Sequence, residues 1–504
     1  MRASSHIGAA LPQALFLIGV AACSGADRGE GEPCTTSGEC GEALQCLEGV
    51  CRPDCENHID CGDGYRCEEG GQCVLVESLV GDPCGREIDC GPGQTCALEE
   101  SDRDGNGFLA GTCQPQGDGD PIASTCELDG DCQSGLCSLG LCTQLCGQAN
   151  DCPPGLSCAV VPRLLEGSAP RFSSCLPSSG VVVDDIPLTA SPATLRIPVP
   201  STAQSFTLVT EVDDDSQLVG VTRLVAPDGR ILYVLPETVD DFYDNPIRYQ
   251  ASFGVSAMLV SNTPDVELQV GVYQAEVGSI LELGGPGTSV PRAAVQYKLD
   301  NGATLDLHFV FLDLDDHPCA RYFEQGDLDA TVANASAQFQ SFVGEIDGIM
   351  RPAGIRLGEV TYRDIQGRGD LDSISRERLG DLLELATEPT GISVFLVRSM
   401  EPVGIMSLVG GQPGPPRMPG TRASGIAVSM DTLCYRDWHV LARVTAHSLA
   451  RQMGLYYNRA PDGAPDTISD SDESGENLMF FTDFGGLQLS EGQKSVLRRY
   501  PGLQ

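Results

Sequence analysis

Cysteine placement constrains this chain before any other feature does. Of the 23 cysteines, twenty lie between Cys34 and Cys175, two more are Cys319 and Cys434, and one, Cys23, ends an apolar N-terminal stretch. Beyond Cys23 each group is even, and none of the clustered cysteines has the C-x2-C spacing of a zinc ribbon. Disulfides are therefore expected, ten of them in the cluster. The cluster is an internal repeat, visible once the second cysteine of each unit is aligned on the acid before it: Glu39-Cys40, Asp60-Cys61, Asp89-Cys90, Asp131-Cys132 and Asp151-Cys152. Five units of four cysteines result, each spanning roughly 17 to 30 residues. A piece that small buries too little apolar surface to fold alone, so its crosslinks must restrict the unfolded chain instead. Three units carry G-x-x-C, at 64–67, 93–96 and 155–158, where glycine permits a tight turn. Three pairings are open to each unit.

The same region carries much of the acidity. From Asp27 to Cys175 there are 27 acidic residues against 7 basic, about half of the formal net charge of −40. Nucleic acid is excluded as a partner, since phosphate binding needs clustered Lys and Arg. A solvated acidic face is the plain reading; divalent cations or basic partners are the alternative. One loop is more pointed. The stretch "DRDGNG" matches the first half of an EF-hand calcium loop, with Asp102, Asp104 and Asn106 as oxygen ligands and Gly107 at the turn. Its second half fails, because position twelve is Cys113; Glu99, Glu100, carbonyls or water would have to complete a calcium shell.

The N-terminus reads as an export signal. Arg2 precedes the apolar run "IGAALPQALFLIGVAA", which is too short to cross and stay in a membrane. The stretch Val20-Ala21-Ala22-Cys23 resembles the lipobox of bacterial lipoproteins, which implies cleavage after residue 22 and a lipidated Cys23 as the new terminus. Ser24 follows, and in that family a residue other than Asp there implies the outer membrane. A multiply acylated terminus anchors firmly. The expected division is thus a signal at 1–22, a lipidated terminus and linker at 23–33, and the stapled repeats at 34–175.

From Ser178 the pattern changes to short β-rich runs. "TLRIPVP", "SFTLVTEV", "VTRLVAPDGRILYVL", "SAMLVSN" and "VELQVGVYQAEV" alternate apolar with polar, and Pro227-Asp228-Gly229 reads as a hairpin turn. A β-sandwich is expected over 180–283, loosely similar to the jelly-roll accessory domains of secreted bacterial peptidases. "VDDD" at 212–215 reads as a charged loop, and "LGGPGTSVP" as a linker at 284–292.

Residues 293–504 switch to alternating strands and helices, an α/β domain with one mixed sheet. "LDLHFVFLD", "IRLGEVTYRDI", "GISVFLVRSM" and "GIAVSMD" are strands; Asp437 caps a helix carrying Trp438, Leu441, Val444, His447, Ala450 and Met453. That helix, "VTAHSLARQMGLYYN", is followed by an acidic loop, "NLMF" at 477–480 and a final helix with the capping box Ser490/Gln493. This order resembles the metzincin metallopeptidases over about 210 of 504 residues. In that family Gly after the second His turns the chain, and a Met turn underlies the metal; Gly454 and Met479 match those positions.

The chemical positions do not match. A zinc-protease helix sets His at i and i+4 with Glu at i+1. Here His447 stands alone: Ser448 occupies the general-base position, Arg451 the second ligand and Tyr457 the third. Ser has no useful basicity at neutral pH, and loss of a general base alone costs about 10²- to 10⁴-fold in rate. Arg451 sets a permanent cation where a dication would bind, so no zinc site is expected. Tyr457, or Asp466, Asp470, Asp472, Glu473 and Glu476 in the acidic loop, are the only substitute ligands, and one of these carboxylates is instead expected to pair with Arg451. Cys319 and Cys434 are expected to form a disulfide joining the loop after the first strand to the entry of the His helix. His308, His317, His439 and His58 show no reason to gather at His447. "GRGD" at 367–370 is too short a match to integrin-binding loops to weigh, and "GGQPGPPRMPG" at 410–420 reads as an extended connector that can shape a binding surface.

The expected protein is a lipid-anchored, extracytoplasmic surface protein whose metzincin-like domain is a catalytically inactive pseudoenzyme serving binding or structure, with a protein or peptide ligand. The alternative is a divergent zinc metallopeptidase with unconventional ligands. A third reading is a calcium-dependent adhesive stalk.

Overall fold

The computed structural model describes residues 32–504 apart from 37–38, 41–43, 48–49, 54–64, 68–72, 76–78, 92, 101–104, 283 and 324–325. The expected signal, Cys23, His58, Asp102 and Asp104 all lie outside the described residues. The layout is multidomain and β-rich, with a disulfide-dense N-terminal region. Two compact units divide the chain, 1–79 and 80–504.

In the first unit, strands Leu44–Leu47 and Val50–Pro53 form an antiparallel hairpin stapled by Cys34–Cys46 and Cys40–Cys51. The second unit opens with three further four-cysteine repeats, bridged Cys84–Cys96 and Cys90–Cys113, Cys126–Cys137 and Cys132–Cys142, Cys146–Cys158 and Cys152–Cys175. Of the three pairings open to each repeat, all four of these use the same one, first to third and second to fourth. Disulfides of this density require folding in an oxidising compartment.

The acid that reveals the repeat in sequence has a structural cause. Asp89, Asp131 and Asp151 each close a short 3-10 turn. One oxygen of each carboxylate accepts two successive backbone N–H groups: Gly85 and Arg86 at 2.9 and 2.8 Å, Glu127 and Leu128 at 2.9 and 2.8 Å, Gly147 and Gln148 at 2.8 and 2.9 Å. Glu39 takes the Thr35 N–H at 3.2 Å in the same way. The donors favour the ionised form, and they hold Asp131 below the usual carboxylate value. Gly93 and Gly155, of the G-x-x-C stretches, take φ +73° and +88°, so the turn read from sequence does need glycine.

The sandwich follows. Its strands are β1 Val181–Ile186, β2 Ala193–Val199, β3 Ser205–Glu211, β4 Leu218–Val225, β5 Ile231–Val234, β6 Ser252–Phe253, β7 Val255–Val260, β8 Gly271–Ile280 and β9 Arg292–Lys298. One antiparallel sheet runs β1-β9-β3-β7; the other runs β2-β8-β4-β5, with β6 on β4. Strand pairing therefore does not change at residue 293. The stretch 293–298, expected with the third region, is β9, hydrogen-bonded between β1 and β3. The Gly/Pro-rich segment before it is not a free linker, because the Gln217 side chain accepts the Thr288 and Ser289 N–H groups at 2.9 and 3.3 Å. The acids of "VDDD" are engaged as a charged loop: Asp213 with Arg292 at 2.9 Å, Asp214 with Gln217 at 2.7 Å, and Asp215 with Arg422 at 3.0 Å.

The last layer is a five-stranded mixed sheet built from β10 Thr304–Leu312, β11 Arg356–Ile365, β12 Ile392–Val397, β13 Ser407–Val409 and β14 Ile426–Ser429. Its order is β11-β10-β12-β14-β13; all neighbours are parallel except the edge strand β13. Helices α1 Ala337–Met350 and α2 Trp438–Gln452 pack together and share an apolar core with β10, β12 and β14. Rings of Phe309 and Phe339 meet edge-on at 5.3 Å, and those of Phe342 and Trp438 at 5.5 Å. Helix α3, Glu491–Arg498, starts on the Ser490/Gln493 capping box. The sandwich packs on this layer. Gln296 donates to Pro416 O at 2.7 Å, and the fully buried Lys298 donates to Leu503 O at 3.2 Å and Asp300 at 3.3 Å. Both faces of β3, β7 and β9 are therefore covered. Among the described residues no helix is long and apolar enough to cross a membrane.

Asp89→Ala and Asp151→Ala should each cost about 0.5–2 kcal/mol of local stability, the range of a lost turn or helix cap. The readout is faster amide hydrogen exchange confined to the substituted repeat. Non-reducing peptide mapping should still return first-to-third and second-to-fourth bridges. Unchanged exchange would show that the carboxylate is not the clamp.

Candidate functional site

Helix α2 begins at the N-cap Asp437, whose carboxylate accepts the Val440 N–H at 3.0 Å, and it is buried from Leu441 through Ala450. Burial on nearly every side makes the polar residues of this helix informative, since each needs a partner. His447 is buried, and its Nδ1 lies 2.8 Å from Leu478 O. A carbonyl only accepts, so Nδ1 carries the proton and Nε2 the lone pair. Burial first, then the like charge of Arg451 and Arg443, pushes His447 down to about 3. It is a neutral imidazole at any physiological pH.

The three positions expected to carry imidazoles do come together, as one imidazole, one guanidinium and one phenol. Tyr457 lays its ring nearly parallel to His447 at 5.7 Å, and the Arg451 guanidinium sits 4.7 Å from the same ring. Ser448, at the general-base position, is turned to the edge strand β13, where its hydroxyl bonds the Ser407 hydroxyl at 2.6 Å. Gly454 takes φ +106°, and a Cβ there would sit 3.1 Å from the Leu259 side chain, so glycine is required to end the helix as it does. Met479 is fully buried, its N–H bonded to Asn477 Oδ1 at 2.8 Å.

Arg451 corrects one expectation. No carboxylate pairs with it among the described residues. Its Nη2 instead donates to Gln412 Oε1 at 2.7 Å, and burial draws it below the ordinary arginine value. The acids of the loop are engaged or exposed elsewhere. Asp470 accepts the Gly492 N–H at 2.9 Å, Glu473 pairs with Arg459 at 3.5 Å, and Asp472 and Glu476 are exposed. Asp466 lies in the field of Arg248, and burial raises it to about 6. A carboxylate next to Arg451 would have to leave solvent on this buried side, whereas Gln412 arrives from a loop already packed there.

That loop is the Gly/Pro-rich stretch 410–420, and it is not an extended connector. Gln412 bonds Arg451, donates to Leu455 O at 3.1 Å and accepts the Tyr456 hydroxyl through its carbonyl at 3.1 Å. Gly414 N–H donates to Gln452 O at 3.0 Å. The loop is bonded down onto the end of α2.

Residues not singled out from sequence hold the other side. Arg443, one turn before His447, donates to four carbonyls: Gly486 at 3.3 Å, Thr482 at 2.7 Å, Leu478 at 3.1 Å and Phe480 at 3.2 Å. Burial lowers it to about 10, still charged. Asn458 donates to Asp472 O at 2.7 Å and Ser474 O at 3.0 Å, closing the acidic loop. Asn477 donates to Gln493 at 3.0 Å, joining the turn at Met479 to the capping box of α3. The i−4 spacing of Arg443 from His447 is the one sequence signal that could have drawn attention to it.

The remaining candidates stay apart. His308 bonds Thr361 and Thr390 O, both at 2.8 Å; His439 is exposed beside Glu345 at 2.8 Å. His317 accepts the Cys319 N–H at 3.0 Å beside the Cys319–Cys434 disulfide, which joins the loop after β10 to the turn before α2. Asn106 accepts the Phe108 N–H at 2.7 Å, an ordinary turn bond. In the "GRGD" stretch, Arg368 and Asp370 pair with each other at 2.9 Å. The donor set around His447 does not fit a zinc ion: one imidazole is present, and a cation holds the position of the second ligand.

Because His447 is neutral when folded and takes up a proton near 6.5 when unfolded, stability falls as pH drops from 6.5 toward 3. The slope of unfolding free energy against pH in that window should become shallower in His447→Asn. In the folded protein the His447 imidazole should not titrate by NMR between pH 8 and about 5. Titration near 6.5 would contradict its burial.

No protein-family model matches this sequence, and no curated protein matches it. Among solved structures, an acetyl xylan esterase from the rumen bacterium Butyrivibrio proteoclasticus aligns with 43% of this chain and 48% of its own, about half its length, at 9% identity and a TM-score of 0.10. A likeness that weak carries no argument about fold or function.

Proposed function

We propose that this chain is an exported, lipid-anchored surface protein whose C-terminal α/β layer, metzincin-like in sequence, is a non-catalytic module for binding or structure. One observation carries the reading. Arg451 fills the place of a second zinc ligand, bonded to Gln412 and stacked on Tyr457, while Ser448 is turned away to Ser407. A guanidinium cannot give up its proton to become a ligand, and displacing it would leave a buried cation without its acceptor. The stapled repeats agree with an extracytoplasmic setting, and the lipobox-like Val20-Ala21-Ala22-Cys23 supplies the anchor.

One observation favours the alternative, a divergent zinc metallopeptidase. His447 donates through Nδ1 to a carbonyl and leaves the Nε2 lone pair, the arrangement that orients a metal-binding imidazole. A single such ligand is not a site.

Metal analysis of the purified protein should find far less than one zinc per chain, and any cleavage of unfolded polypeptides should be insensitive to chelator. Stoichiometric zinc with chelator-sensitive cleavage would reverse the reading. Restoring the missing groups by Ser448→Glu, Arg451→His and Tyr457→His should raise zinc affinity by about tenfold or more, measured by competition with a chromogenic chelator.

A further inference from the structure

We infer that the cleft where the stapled repeats meet the sandwich binds a basic peptide segment, taking a Lys or Arg side chain of a partner protein at Asp184. The cleft shares no lining residue with the corner around His447, so the inference goes beyond the non-catalytic reading and does not depend on it.

Three repeats, 84–113, 126–142 and 146–175, and the sandwich strands β1 and β2 enclose a cleft of about 1120 Å³. Small-molecule pockets occupy roughly 300–1,000 Å³, so this space suits a segment of chain better than one small molecule. Buried Leu139, Val161, Phe172 and Pro198 form its floor. Its walls are fixed to one another: Arg196 donates to Leu165 O at 2.7 Å and Ser168 O at 2.8 Å, and the Val160 N–H to Ser201 Oγ at 2.9 Å.

The charge of the cleft is one-sided, five carboxylates against two guanidiniums. Both guanidiniums are engaged, Arg163 with Asp129 at 2.5 Å and Arg171 over the Phe108 ring at 5.1 Å. Asp184, Glu100 and Glu166 form no ion pair and no side-chain hydrogen bond among the described residues. Exposed acids are common in a chain with 71 acidic residues against 31 basic, so Glu100 and Glu166 at the rim carry little weight alone. Asp184 differs. It shares a face of β1 with the buried Val182, and the repeat 126–142 is packed against it: a Cβ at Gly140 would stand 3.1 Å from Val183 O and 3.9 Å from Asp184 Oδ1. Burial, then the like charge of Asp185, raises the Asp184 carboxyl to about 6. Ser138, two residues before Gly140, lines the cleft at 6% exposure, and its hydroxyl has no hydrogen-bond partner among the described residues. A cation on a long aliphatic stem answers these groups. The charge meets Asp184, an N–H meets the Ser138 oxygen, and the stem lies on the apolar floor. Glu100 and Glu166 then face the neighbouring basic residues of the segment.

The test uses the full-length folded protein and calorimetry with three peptides of equal length, N-acetylated and C-amidated: one carries two Arg, one two Lys and one two Glu at the same positions. Spermidine is the non-peptide probe. Saturable binding of the Arg or Lys peptide is expected, weakening as salt is raised, with the two arms telling which head group fits. Asp184→Asn, nearly unchanged in shape, should weaken binding about tenfold or more, Ser138→Ala less, and Glu166→Gln should mainly reduce the salt dependence. Glu401→Gln, in the α/β layer, should change nothing. Circular dichroism of each variant separates lost binding from lost folding. Equal affinity for basic and acidic peptides, binding unchanged in Asp184→Asn, no saturation below ~10 mM, or spermidine binding as tightly as either basic peptide would overturn the inference. Zinc content measured on the same sample bears only on the non-catalytic reading, so failure of that reading and failure of this one stay distinguishable.

Discussion

A guanidinium keeps its proton at every pH at which a protein is folded, so whatever surrounds residue 451 must accept hydrogen bonds or present an aromatic face. Much of the local structure follows from that demand. Gln412 supplies the acceptor and Tyr457 the face. His447, one turn away, stays neutral, because burial disfavours its charged form and Arg451 and Arg443 already set cations beside it. Gln412 in turn meets Leu455 and Tyr456, and Gly414 meets Gln452, so the Gly/Pro-rich loop and the end of α2 form one network. Through Pro416 that network reaches Gln296 of β9, which carries it into the sandwich.

Charge is organised differently in the stapled repeats. Each acid before a second cysteine would be read from composition as part of a solvated face, yet Asp89, Asp131 and Asp151 are clamps that gather backbone N–H groups. The clamp holds the turn between the first and second cysteines, while the bridges restrict the unfolded chain. Some of the acidity is therefore structural rather than solubilising. A repeat with almost no core needs both devices, because neither a short turn nor a disulfide alone orders 17 to 30 residues.

The periodic features were legible and the long-range ones were not. The repeat, its acid, its even cysteines and the mixed sheet are patterns of local spacing, and sequence carries local spacing directly. Strand β9 is not legible because Gly and Pro before it mimic a linker, while its partners in β1 and β3 lie 81 to 117 residues earlier in the chain. The partner of Arg451 is illegible for a related reason. The acidic loop is near in sequence and chemically obvious, whereas Gln412 is remote, neutral and already packed against the helix. Arg443 drew no attention, since a lone arginine shows nothing in sequence of the four carbonyls it will meet.

The residues that hold this corner of the molecule together are not those a metal site would use. Gly454 shapes the helix end through its backbone, Arg443 and Asn458 bind carbonyls, and Asn477 joins Gln493 of the last helix. None of these roles depends on what stands at 448, 451 or 457. Changes at those three positions therefore leave the frame in place, provided their volume is filled by groups that satisfy one another. A guanidinium on a phenol ring, bonded to an amide, fills it incompletely, because a buried Nε–H is left over. An orphaned donor of this kind costs free energy, and the buried Arg248 carries the same cost at its own Nε.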